Sequence, residues 1–282
     1  MSIPGAVREA LAQDRLIPYI GPGVLALDPA CPIPVTPEAL ASRFAAKVAV
    51  PHKIRGNLTA AAQFIENFKH RKTVSTLMRD AFSVSVAPNA LHDWLAASRP
   101  ALLVHVWYDD VLRVALKAHG DDWGSVQAVS QAEHHGAWVH YFRHDGTRVD
   151  HASWATLIYE PLGALNPAGN FLVSDSDLVE VLTEIDIQTP IPQEVQALRQ
   201  DRGFLFLGCR FTTQLERAFA RQIMKRSRGP HWAVLPDTQT RNESRFLSEQ
   251  SITPITVDLA AFARALSSAA PAPYARGLVN GA

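Results

Sequence analysis

Short runs rich in apolar residues punctuate the chain at Leu16 to Ile20, Ala101 to Val106, Phe204 to Leu207, Trp232 to Leu235 and Ile252 to Val257. Runs of this length bounded by turn residues are what strands buried on both faces require, so they predict a mostly parallel sheet. Between them, apolar positions recur at three and four residues. Leu58, Ala61, Ala62, Ile65 and Phe68 form one stripe, Leu215, Ala218, Phe219 and Ile223 a second, and Leu259, Phe262, Ala263 and Leu266 a third. Such spacing puts each set on one face of a helix, and these faces read as core stripes. Strands alternating with amphipathic helices define an α/β, Rossmann-like sheet with helices on both faces.

Two interruptions modify this plan. The stretch from Thr36 to Leu95 is helical in pattern and far longer than one crossover requires, so it predicts an inserted helical lobe over about 36–95. From Val126 to Tyr159, two segments with β character, Trp138 to Phe142 and Ala155 to Tyr159, lie among Gly and Asp turns and predict an added sheet segment or a hairpin. No repeat of 20 to 50 residues is visible. Residues 1–268 read as a single domain, and 269–282, rich in Ala, Pro and Gly without periodicity, as a flexible tail.

Composition narrows the class. The chain has 282 residues, 47% hydrophobic and 19% charged, enough to bury a large core. Lys plus Arg and Asp plus Glu are equal at 27 each, so no global field favours nucleic acid. The two cysteines, Cys31 and Cys209, are too few for a disulfide framework, which suits a reducing cytoplasm. The N-terminal residues lack a secretory pattern and no apolar run reaches membrane-spanning length, so a cytoplasmic protein without membrane contact is expected.

Candidate chemistry gathers at strand ends, where open parallel sheets bind ligands. The first run stops on Gly21-Pro22-Gly23, the second runs into His105-Val106-Trp107-Tyr108-Asp109-Asp110, and a later one into Gly208-Cys209. These three ends are expected to line one pocket. A glycine pair lets backbone N–H groups approach a phosphate, although it also ends ordinary strands. Pro22 removes one of those donors and leaves Gly23 and Val24 to supply them. Cys209 reads either as a small buried apolar residue or as a nucleophile beside the pocket. Asp109 reads either as the acceptor of a helix start or as a ligand contact. His134, His135, His140, His144 and His151 crowd one region, but their spacing matches no metal motif, so no metal site is expected. Lys225-Arg226-Ser227-Arg228 reads as a solvated turn closing a helix.

The order of these segments resembles the sirtuin-like family, the silent information regulator superfamily, and in particular its bacterial branch associated with NAD hydrolysis in phage defence. The likeness covers roughly residues 7 to 266. Ile17 to Val24 is similar to a strand followed by Gly-Ala-Gly-Val/Ile-Ser, and Pro32-Ile33-Pro34 to the Gly-Ile-Pro segment before a helix. Leu91 to Ala96 is similar to the His-x-x-Leu-Ala helix, Val106 to Leu112 to Thr-Thr-Asn-Tyr-Asp-x-x-Leu, Ile158 to Ala164 to Leu-His-Gly-Ser, and Leu205 to Gly208 to Leu-Phe-Leu-Gly.

The resemblance implies a nucleotide pocket touching Gly21, Gly23, Val24, Trp107, Tyr108, Asp109, Gly208 and Cys209, with NAD or ADP-ribose as its ligand and no cofactor required. It also implies an Asn that holds the ribose and a His that acts as general base. Trp107 and Leu162 stand at those two positions, and Leu25 replaces the serine after the glycines. Indole offers only an N–H donor and leucine accepts no proton. The expectation is therefore a sirtuin-like pseudoenzyme acting as a binding or regulatory protein through an unidentified protein partner or a small ligand, with a remodelled nucleotide pocket and a homo-oligomer left open. Two alternatives stand beside it: an NAD-consuming hydrolase using His105 as base, and a purely structural interaction module whose pocket Trp107 and Leu162 fill.

Overall fold

The computed structural model describes residues 3–184 and 191–268; the expected tail at 269–282 lies outside the described residues. The chain begins with α1 (Gly5–Ala12) and β1 (Leu16–Ile20), followed by a 3-10 segment at Pro22–Leu27. Three helices come next, α2 (Pro37–Lys47), α3 (Leu58–Lys69) and α4 (Arg71–Phe82), then α5 (Ala90–Ser98), β2 (Leu102–His105) and α6 (Val111–Lys117). The middle of the chain is β-rich: β3 (Trp123–Ala128), β4 (Val139–Arg143), β5 (Arg148–Val149), β6 (Thr156–Glu160), and the small hairpin β7 (Gly163–Ala164) and β8 (Asn170–Phe171). Then follow α7 (Asp175–Glu184), α8 (Gln193–Arg199), β9 (Gly203–Leu207), α9 (Gln214–Met224), β10 (His231–Leu235), α10 (Arg241–Glu249), β11 (Ile252–Thr256) and α11 (Leu259–Ser267).

The main sheet has nine strands in the order β11-β10-β9-β1-β2-β6-β3-β4-β5. Every pairing from β11 across to β3 is parallel, and β4 and β5 close one edge antiparallel. The chain runs from β1 outward in one direction and returns to the other side of β1 with β9, so the topological switch point lies between β1 and β9.

Period-two alternation divides the strand side chains between two helical layers. Ile17, Tyr19, Phe204 and Phe206 face one layer with Phe219 of α9 and Phe246 of α10. Leu16, Ile20, Leu205 and Leu207 face the other, with Leu11 of α1, Leu95 of α5, Leu112 of α6 and Phe262 of α11. Side-chain caps start the helices where the sequence supplies them. Thr213 and Thr240 form reciprocal capping boxes with Glu216 and Glu243.

A third core belongs to the lobe. Leu40, Phe44, Ile65, Val74 and Met78 of α2, α3 and α4 pack together and onto Trp107, Tyr108, Phe171 and Val173. The helical pattern that continues to Leu95 includes α5, and that helix packs with α6 and α11 on the sheet instead. Two further differences concern strands. The segment at 156–160, expected as part of an added sheet or hairpin, is a central parallel strand between β2 and β3. β11, expected to be buried, is a largely exposed edge whose Pro254, lacking an N–H, discourages further pairing.

Candidate functional site

At the switch point the loops after β1 and β9 touch. Gly21 donates its N–H to the Leu207 carbonyl at 2.9 Å, Gly23 to the Gly208 carbonyl at 2.9 Å, and Val24 to the Gly21 carbonyl at 3.2 Å. All the amide donors of this turn are thereby engaged by protein acceptors, since Pro22 has none. The approach requires glycine: a Cβ on Gly21 would stand 2.6 Å from the Gly208 carbonyl oxygen, and one on Gly208, at φ +64°, would stand 2.4 Å from the Val24 nitrogen. Gly208→Ala is therefore expected to cost at least about 1–2 kcal/mol from the left-handed backbone alone. Urea unfolding measures it; a loss below about 0.5 kcal/mol, the scale of a neutral surface change, would show that the two loops separate freely.

The loop after β9 is held rigidly. Arg210 grips the fully buried Glu243 through two bonds of 2.8 Å, and Phe211 and Thr240 donate their amides to the same carboxylate. Burial works against the charge on Glu243, but these donors prevail and lower its carboxyl to about 2. Cys209, next to this loop, is buried with its sulfur 3.6 Å from the Tyr19 carbonyl, and burial pushes its thiol well up. Such a thiol is not a nucleophile at neutral pH. With a thiol-reactive disulfide at about pH 8, the half-buried Cys31 is expected to react in the folded protein and Cys209 only after unfolding. Rapid reaction of both would place Cys209 at an open site.

The segment after β2 points its large side chains away from that switch point, into the lobe. Trp107 is buried, donates its indole N–H to the Pro34 carbonyl at 2.9 Å and lies against Phe82 and Tyr108. Tyr108 donates its hydroxyl to the Leu172 carbonyl at 2.9 Å, and Leu172 donates its amide to the Leu162 carbonyl at 2.8 Å. Leu162 packs against both the sheet core and the lobe core. Thus Trp107, Tyr108 and Leu162 come together, and Gly21, Gly23, Val24, Gly208 and Cys209 come together, as two apolar junctions at the same edge of the sheet.

A third grouping was not legible beforehand. On the α5/α6 face, Leu103 and Ile158 are apolar, but the next inward positions toward the strand ends are polar. Val104 pairs with Tyr159, and Gln127 with Glu160, so His105, Glu160 and Gln127 form one cross-strand row. All three are buried. Asp109 Oδ2 stands 3.2 Å from His105 Nε2, and Glu160 Oε1 stands 3.8 Å from His105 Nδ1. Asp109 also accepts the Val111 amide at 2.9 Å, the helix-start role expected for it. Arg113 of α6 bonds Glu160 and donates to Ser125, and Gln127 donates to Glu160 at 2.7 Å. The tip of the β7–β8 hairpin covers the row: Gln127 reaches the Asn166 carbonyl at 2.7 Å and Asn166 reaches Asp110 at 2.5 Å.

Burial alone would pull the His105 imidazole down, but Asp109, then Glu160, outweigh it and raise it to about 9. Burial alone would raise Asp109 and Glu160; His105 brings the first below the usual carboxylate range, and Arg113 with His105 the second. His92 of α5 is driven down by burial to about 4, so it adds no charge at neutral pH. Even so, His105 Nδ1, Asp109 Oδ2, Asp110 Oδ1, Arg113 Nε and Glu160 Oε1 are buried without a hydrogen-bond partner of good geometry. The only sequence signal for Glu160 was a polar residue closing an otherwise apolar run, and Gln127, inside a segment that also holds Ser125, carried none. The histidine-rich region is unremarkable by contrast. Among the described residues, no group of three or more His, Cys, Asp or Glu side chains is arranged to hold a metal.

A mostly parallel sheet in Rossmann order, with a helical lobe packed across its strand ends, defines the class as Rossmann-like α/β proteins. The family model described as a SIR2-like domain matches residues 101–255, more than half of the chain, and the chain belongs to that family. The match includes Trp107, Leu162 and Gly208 and stops short of the glycine turn at Gly21. No curated protein matches the chain. Among the described residues, no helix is long and apolar enough to cross a membrane.

Proposed function

We propose that this chain is a SIR2-like pseudoenzyme, a scaffold that acts through binding a protein partner and does not cleave NAD. The observation that carries this reading is the merger of Trp107 and Leu162, which the resemblance aligns with the expected Asn and His, into the core joining lobe to sheet. Neither side chain can hold a ribose hydroxyl and move its proton. The 21–24 turn also offers a pyrophosphate few free donors, because the amides of Gly21, Gly23 and Val24 already serve protein carbonyls and Pro22 has none.

The alternative base, His105, is disfavoured by its charge. Flanked by Asp109 and Glu160 it is a cation at neutral pH, and a cationic imidazole accepts no proton. The test is incubation of the purified protein with NAD and quantification of nicotinamide by chromatography. Release no faster than in buffer is expected, together with no heat of NAD or ADP-ribose binding by calorimetry. Nicotinamide release that a Trp107 or Leu162 substitution alters would overturn the reading, as would release lost in His105→Ala with the fold intact.

A further inference from the structure

The charged row at the ends of β2, β6 and β3 is not needed for binding through a filled scaffold, and a chain optimised only for stability would replace it. Buried ion pairs exchanged for apolar residues are often neutral or more stable. What distinguishes the row is its place. His105 and Asp109 bracket the turn 106–108, the segment that carries Trp107 and Tyr108 into the lobe core. Glu160 sits directly before the Pro161-Leu162 segment, and Asp110 is tied to the hairpin tip through Asn166. Two of the segments that pack from the sheet ends into the lobe core, 106–108 and the one at Leu162, therefore begin at this cluster.

We propose that the His105 row is a proton-operated latch: while His105 carries its proton the 106–110 turn holds Trp107 and Tyr108 in the lobe core, and when that proton leaves the turn detaches. The electrostatics can be counted from every side. Asp109 faces His105 from the turn, Glu160 from β6 with Arg113 and Gln127 behind it, the uncharged His92 from α5, and the apolar Ile20 from β1. With His105 protonated, the Asp109 and Glu160 carboxylates meet two cations, and the carboxyl of Asp110, raised chiefly by burial and held by Asn166, lies beside them. Without the proton, Asp109 and Glu160 share Arg113 alone, which bonds only Glu160, and Asp109 is left buried beside a neutral ring.

The sign follows from linkage. A group raised from 6.5 to about 9 on folding stabilises fully below 6.5 and loses that contribution as pH rises through 9. Opening releases one proton in that window, so the opening equilibrium should rise about tenfold per pH unit. Hydrogen exchange of amides 106–112, corrected for the intrinsic rate, reads it directly.

The expected result is that tenfold slope in the wild type at 106–112 and a smaller one along α3. In His105→Gln, opening should already be raised at neutral pH and flat with pH. A flat wild-type profile, or a slope that survives in His105→Gln, overturns the proposal. If that variant does not fold, the imidazole of His105 in the wild type is followed by NMR. A midpoint near 9 that coincides with the exchange change supports the latch, and a midpoint below 7 overturns it. The latch is independent of whether the protein cleaves NAD.

Discussion

Arg113→Met is expected to lower the unfolding free energy by about 3–5 kcal/mol, the cost of removing one partner from a buried ion pair. Arg113 is buried on α6, bonds Glu160 and Ser125, and lies 5.9 Å over the Trp123 ring. Methionine fills much of the volume, so the loss measures stranded charge more than lost packing. The double variant Arg113→Met with Glu160→Gln should recover a substantial part, because no uncompensated carboxylate remains; urea unfolding of the four proteins closes the cycle.

The pH dependence carries an independent check. In the wild type, Glu160 is held below its ordinary range chiefly by Arg113 against the opposing effect of burial, so its contribution is present above the unfolded carboxylate value and falls away in acid. In Arg113→Met that acid sensitivity should shrink or reverse. A single variant within about 1 kcal/mol of the wild type, the scale of an exposed pair, would show that the row is open to water.

Trp107→Ala is expected to cost about 3–5 kcal/mol, the range for deleting a large aromatic from a core. The indole contributes three things at once: apolar area in the lobe core, ring contacts with Phe82 at 5.8 Å and Tyr108 at 5.1 Å, and the bond to Pro34. It joins the lobe to the turn after β2, so the loss should fall on lobe and sheet together, as one transition by circular dichroism and fluorescence. A ligand-facing tryptophan on a pocket wall would cost far less. A loss under about 1 kcal/mol would therefore contradict its place as core and reopen the pocket reading.

The two predictions concern neighbouring segments that the sequence reveals very unequally. The strand at Leu16 to Ile20, the run before Gly208 and the helical stripes of α3, α9 and α11 could be read directly, because burial on both faces or on one helical stripe leaves a periodic record in the chain. The replacements at Trp107 and Leu162 could also be read, as departures from a resembling pattern. The place of β6 could not. An apolar segment among turns is compatible with an edge hairpin or a central strand, and only pairing with β2 and β3 decides between them. Which core α5 joins is illegible for a related reason: α5 has the same stripe as its predecessors, and nothing local tells which core a stripe will join.

By itself, the sequence determined the alternation of strands and helices, the glycines that let two loops meet, and the indole and leucine side chains at the two positions where the resemblance expects an amide and an imidazole. These follow from local chemistry, where a missing Cβ, a period or an indole in place of an amide acts wherever the chain goes. Only the tertiary structure decided that the Gly21 turn closes on Gly208, that Trp107 turns into the lobe, and that His105, Glu160 and Gln127 align into one charged row. Each of these is a contact between residues far apart in sequence, and its energy depends on distance, burial and register, which exist only once the sheet has formed.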